Sequence, residues 1–300
     1  MTTAAHIALF VLLGPLLVGV VRKTKAFLSC RQGAPAFQPY LDLWKLFRRG
    51  IVRSTTASWV FDLSAPVVLG TSLVLAAATP LWSRDVPLPM HFILFLYLMA
   101  LPRFFQTLAA MDTGSAFGGL GASREVAVSA MAEPALILSF CGLAYLGGAD
   151  TVSGMVAGVS PGRVTGRPEV ILLAGTMFLL LLAENARIPV DDPATHLELT
   201  MIHEAMVLDH AGPDLAMIQL ASGVRLVLFS ALVSGILCPG TLALPPFLAI
   251  PAAVVKIVLS GALIGATEAG MARMRLSRIA SYLLVATVLG AIALAVRFAG

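Results

Sequence analysis

The chain has 300 residues, 58% of them hydrophobic and 12% charged, with a mean hydropathy of +0.92. A soluble domain carries about 25% charged residues, so a soluble globular protein is excluded. The apolar runs are continuous and about 20 residues long, whereas the segments of a membrane barrel alternate and span about 10. The formal net charge of +4 and the pI near 9.2 come from Lys and Arg in the loops and read as topology, not as nucleic-acid binding.

Eight spans are expected, at roughly 4–22, 60–81, 90–110, 126–147, 168–186, 217–238, 247–267 and 279–298. Each runs about 19–22 residues, enough for a ~30 Å hydrocarbon core. The fold class is therefore an all-α integral membrane protein, a single polytopic domain over 1–300 without an internal repeat. The N-terminus is apolar and lacks a basic n-region or a small-residue cleavage site, so it reads as a first span and not as a cleaved signal. The loops 23–59, 111–125, 187–216 and 268–278 carry twelve Lys and Arg, and the opposite loops three, Arg84, Arg163 and Arg167. The basic side is expected to be cytoplasmic, with both termini outside.

After the first span comes "FQPYLDLWKLFRRG", in which Phe37, Leu41, Trp44 and Phe47 recur at helical spacing beside Lys45, Arg48 and Arg49. This is an amphipathic helix, lying on the membrane surface or against a partner. Further on, "GGLGAS" (Gly118–Ser123) follows a span rather than a strand; a phosphate cradle is not expected there, and a loop with tight turns is.

A charge at the bilayer centre costs about 2.5–3.5 kcal/mol or more. Arg103, Glu133, Glu184, Arg225, Lys256 and Glu268 all fall within or at the ends of spans, mostly toward the basic side, which suggests a polar funnel opening there. Snorkelling accounts for Asp62, Arg297 and Arg103. Glu184 and Arg187 are three apart and are expected to pair. Glu133 precedes Pro134, which removes a helix hydrogen bond beside the carboxylate.

Seven of the sixteen acidic residues lie between Ala183 and Asp214: Glu184, Asp191, Asp192, Glu198, Glu204, Asp209 and Asp214. His196, His203 and His210 in the same stretch are spaced by seven. On one helix they would sit ~10.5 Å apart, too far for one ion with ligands at ~2 Å. Cys30, Cys141 and Cys238 are isolated, so the chain is expected to bind no metal or iron–sulfur cluster itself. No GxSxG, HExxH or P-loop occurs, and no catalytic residue is expected.

Three segments occur together on the basic side: "RQGAPAFQPYLDLWKL", "DTGSAFGGLGASREVAVSAMAEPAL" and "AENARIPVDDPATHLELTMIHEAM…DHAG". In this order they resemble the membrane subunit shared by respiratory complex I (its subunit 1, or H) and the energy-converting group 4 [NiFe] hydrogenases and formate hydrogenlyases. The wording is nearer the hydrogenase branch. Arg31, Gly33, Gln38, Pro39, Asp42 and Lys45 match one family motif; Glu184, Arg187, Pro189, Asp191, Pro193 and Glu198 match another; the family's fourth-span glutamate falls on Glu133. Ala194 and His196 replace acidic positions of the family.

The resemblance implies a non-catalytic subunit that carries a hydrogenase-like large subunit and an iron–sulfur small subunit on its cytoplasmic face, beside antiporter-like membrane subunits. The [NiFe] and iron–sulfur clusters would lie in those partners, and coupling would move H⁺ or Na⁺. Glu133, Glu184, Arg187, Asp191, Asp192, Glu198, Glu204, Asp209, Arg225, Lys256 and Glu268 would form the ion path. Arg31, Gln38, Asp42, Lys45, Arg48 and Arg49 would dock partners. The alternatives are the quinone-site subunit of an NADH:quinone oxidoreductase, a passive anchor, or a stand-alone transporter.

Overall fold

A computed structural model describes residues 3–159, 167–191 and 201–299. The helices are α1 (Thr3–Leu28), α2 (Gln38–Phe47), α3 (Trp59–Ala78), α4 (Phe92–Asp112), α5 (Ala116–Gly147), α6 (Val152–Gly158), α7 (Pro168–Glu184), α8 (His203–Val207), α9 (Pro213–Leu237), α10 (Pro246–Gly270) and α11 (Leu276–Ala299). A 3₁₀ turn, η1 (Pro239–Ala243), joins α9 to α10.

Among the described residues seven helices are long and apolar enough to cross a membrane: α1, α3, α4, α5, α9, α10 and α11. The eighth expected span is α7, which has 17 residues and so measures ~26 Å. Its C-terminus is a built stop. Ala186 takes a left-handed φ of 48°, the N–H of Arg187 returns to the carbonyl of Leu182 at 2.9 Å, and the Asn185 amide reaches that of Leu181 at 2.9 Å. These bonds satisfy carbonyls that the helix end would otherwise leave bare.

At the centre lies α9, apolar on all sides and the most enclosed of the spans. It packs on α1, α3 and α7, while α11 covers α5 and α7, and α10 lies along α1. The α1–α9 crossing is made by Gly14 and Gly223. A Cβ on either would lie within 3.1 Å of the other's backbone, so only glycine lets the axes come this close.

Helix α5 starts ten residues before the expected span, at Ala116. The Ser115 hydroxyl accepts the N–H of Gly118 at 3.1 Å and caps it. The Gly118–Ser123 segment is therefore helix and not a loop of tight turns. Its glycines serve close packing: Gly118 abuts the carbonyl of Ala110, and Gly121 that of Ile202.

Candidate functional site

The loops rich in Lys and Arg gather at one end of the bundle, here called the basic end. Beneath them a set of charged side chains crosses the helices. Lys25 of α1 and Arg187 after α7 both contact Glu268 of α10, at 3.6 and 3.5 Å. Asp191 binds Arg273 at 2.7 Å and accepts the backbone N–H of His203 at 3.1 Å, which orders the start of α8. Further across, Arg103 of α4 pairs with Glu184, the last residue of α7, and donates to Ser129 of α5 at 2.9 Å. Glu184, Asp191 and Glu268 are almost wholly buried, so each depends on its cation.

Arg225 and Glu125 lie between these pairs. Glu125 is within electrostatic reach of Arg103, Arg225, Glu184 and Asp191. The Arg225 Nε is buried without a hydrogen-bond partner among the described residues. His203, half-buried, stands outside the spans. Loss of hydration, with the Arg225 and Arg187 guanidiniums, holds its pKa down to about 4, so it is neutral at pH 7. A neutral imidazole both accepts and donates a proton.

Two cavities flank this set. One, of about 140 Å³, is walled by Pro15, Val18 and Arg22 of α1, Pro39, Asp42 and Leu43 of α2, and α9, with Arg187, His203 and Glu204 at its edge. The other, of about 400 Å³, is an apolar groove between α4 and α5 whose polar lining is Arg103, Glu133 and Tyr97.

The residues expected to form an ion path divide accordingly. Glu184, Arg187, Asp191, Arg225 and Glu268 come together, with Glu204 at the cavity edge. The expected Glu184–Arg187 pair does not form, because the stop of α7 turns Arg187 toward α10 and leaves Glu184 to Arg103. Arg103 is accordingly a buried ion-pair partner and does not snorkel. Glu133 stands on the outer face of α5, exposed, in the α4/α5 groove. Asp209 accepts hydroxyl bonds from Thr113 and Ser115, both at 2.9 Å, and clamps the α4–α5 corner. Lys256 lies apart and donates to Thr241 of η1 at 2.6 Å. Asp192, Glu198 and His196 lie outside the described residues.

Of the expected docking residues, Gln38 and Asp42 bond each other at 2.9 Å, and Asp42 faces the smaller cavity. Arg31, Lys45, Arg48 and Arg49 are exposed. His203 and His210 do not share one helix face, since α8 ends at Val207. His210 stacks on Phe61, with centroids 4.1 Å apart. Glu125 lies before the fourth span that hydrophobicity marks; the Ser115 cap is the signal that the helix begins earlier.

The family model for NADH dehydrogenase matches residues 1–299. The chain is 32% identical over 237 residues to hydrogenase-4 component C of Escherichia coli (strain K12), covering 78% of this chain and 74% of that protein. It is 31% identical to formate hydrogenlyase subunit 4 of the same organism, covering 87% of each. Its fold matches a chain of the membrane-bound sulfane sulfur reductase, an archaeal respiratory membrane complex, with a TM-score of 0.83, 20% identity and 97% of both chains covered. With nearly its whole length matched by the family model, and two relatives above 30% identity over most of both chains, the protein belongs to the NADH dehydrogenase family.

Proposed function

We propose that this chain is the non-catalytic membrane subunit of a complex-I-like assembly of the hydrogenase or formate hydrogenlyase type. It holds a soluble redox arm at its basic, cytoplasmic end and couples electron transfer there to movement of H⁺ or Na⁺ through antiporter-like neighbours. The arm would contain a hydrogenase-like large subunit and an iron–sulfur small subunit, which carry the clusters. The observation that carries this reading is the set Lys25–Glu268–Arg187, His203, Arg225 and Glu125, and Glu184–Arg103. It runs from a cavity near the basic loops to the α4/α5 groove where Glu133 stands. Such a set transmits a charge change in the arm as shifts in neighbouring protonation and pairing.

The test is coupling in the intact complex. Glu133→Gln is expected to preserve assembly and lower ion movement per turnover; Glu184→Gln, which also breaks the buried pair with Arg103, is expected to lower it in the complex that still assembles. Wild-type assembly, turnover and ion movement in both variants would sink the proposal. A second reading, a quinone-binding subunit, is favoured by the cavity between α1, α2 and α9. Inhibitor-sensitive quinone reduction by the purified complex would select it.

A further inference from the structure

Helix α2 turns one side to the bundle and leaves a row of large apolar side chains bare on the other. Pro39, Asp42 and Leu43 face the cavity. Phe37, Leu41, Trp44 and Phe47 form the outer row and are 66%, 54%, 63% and 46% exposed. No soluble surface leaves such a row bare without cause.

The depth of the helix says what the row faces. After α1 the chain reverses through Cys30 and Gly33, both with positive φ, and runs back along α1. The carbonyl of Ala36 fills the space that a Gly19 side chain would need. The Tyr40 hydroxyl donates to the carbonyl of Leu12, sixteen residues or ~24 Å from the basic end of α1. Both contacts fall inside the spanning part of α1. The chain then climbs back, and the carbonyl of Gly50 abuts Gly212 at the start of α9. Thus α2 slopes along the apolar length of α1 toward its basic end, a depth at which an exposed apolar row suits acyl chains and not a soluble protein.

The rim end of α2 is cationic. Lys45, Arg48 and Arg49 are exposed, and none has an acidic partner among the described residues. The Arg48 guanidinium lies 5.2 Å above the Trp44 ring, the pairing of cation and indole that suits the level of aromatic belts and headgroups. The one carboxylate of α2, Asp42, is held away by Gln38.

We propose that the outer face of α2 binds an anionic phospholipid of the leaflet at the basic end. The acyl chains lie along Phe37, Leu41, Trp44 and Phe47, and Lys45, Arg48 and Arg49 hold the headgroup phosphate. The occupied face stiffens α2, whose inner side is the wall of the cavity.

The test is native mass spectrometry of the purified complex with added phosphatidylglycerol or phosphatidylcholine. Wild type is expected to retain phosphatidylglycerol selectively. Lys45→Gln/Arg48→Gln/Arg49→Gln is expected to weaken that retention roughly ten-fold or more, since each cation near a membrane surface adds measurably to anionic-lipid binding. Arg275→Gln/Arg278→Gln, which removes two cations elsewhere at the same end, is expected to leave it unchanged. Should the triple variant fail to accumulate, Arg48→Gln alone gives the same reading as a several-fold loss. Undiminished selectivity in the α2 variants overturns the site. So does an equal loss in the Arg275/Arg278 variant, which would mean bulk charge. Loss of the soluble partner with lipid retention intact would assign the cations to a protein.

Discussion

Glu184 is held by Arg103 of α4 and not by Arg187, three residues further along its own strand of sequence. The pair joins α4 to the end of α7 across the bundle, with both side chains mostly buried. Its partner choice follows from the end of α7. Once Ala186 takes its left-handed turn, Arg187 leaves the helix face that a continuous i, i+3 pair would need.

Removing one member of this pair leaves a buried charge. Arg103→Met is therefore expected to lower stability by about 3–5 kcal/mol. Arg103→Met/Glu184→Met removes both charges and should recover most of the loss. Unfolding in detergent across the double-mutant cycle checks this. Costs that simply add would mean that the two side chains act independently.

The overall plan was legible in the sequence, because spans are set by length and hydrophobicity alone. Facing was not. Within helices apolar on all sides, periodicity does not separate an outward-facing position from a buried one, so Glu133 and Glu184 looked alike before the fold left the first exposed and buried the second. The α2 stripe was readable as amphipathic, but which side pointed inward depended on the Tyr40–Leu12 and Ala36–Gly19 contacts with α1. Glu125 and His203 were hidden by a helix start and a loop geometry that depend on the Ser115 cap and the Asp191 carboxylate.

The α1–α9 crossing should tolerate no side chain. Gly223→Val would drive carbon into the Gly14 backbone, where even a Cβ lies at 3.1 Å. A loss of at least about 1–3 kcal/mol is expected. Gly70→Val on α3, where a Cβ meets nothing within 4 Å, should stay within about 0.5 kcal/mol. Thermal unfolding of the two variants compares them, and equal effects would refute the crossing.

Acid should destabilise the fold before most carboxylates titrate. His203 and His210 both have pKa values near 4, against 6.5 for a free imidazole. Burial is the main cause in each; Asp209 pulls the second slightly the other way. Between these values the unfolded chain binds more protons than the folded one, so stability falls as pH drops from 6.5 toward 4 and this contribution levels off below 4. His210→Phe keeps the stack on Phe61 and should flatten the slope measured between pH 7 and pH 5. An unchanged slope would show that His210 is not held neutral.

Lys256 and Glu268 lie on the same helix but should behave differently. Twelve residues separate them, or ~18 Å. At an effective dielectric of ~20, unit charges that far apart interact by only about 1 kcal/mol. Lys256 is also satisfied locally by Thr241, whereas Glu268 joins Lys25 and Arg187 within the charged set. In the intact complex, Lys256→Met is expected to leave ion movement per turnover within about five-fold of wild type, the most that an interaction of about 1 kcal/mol produces. Glu268→Gln, which leaves Arg187 facing an uncharged amide in a buried site, should reduce it more than roughly ten-fold, the loss that about 1.4 kcal/mol produces. Both variants are read from ion uptake in vesicles against electron transfer in the same sample. If Lys256→Met uncouples as strongly as Glu268→Gln, the path extends down α10 to η1 and the two ends of that helix act as one.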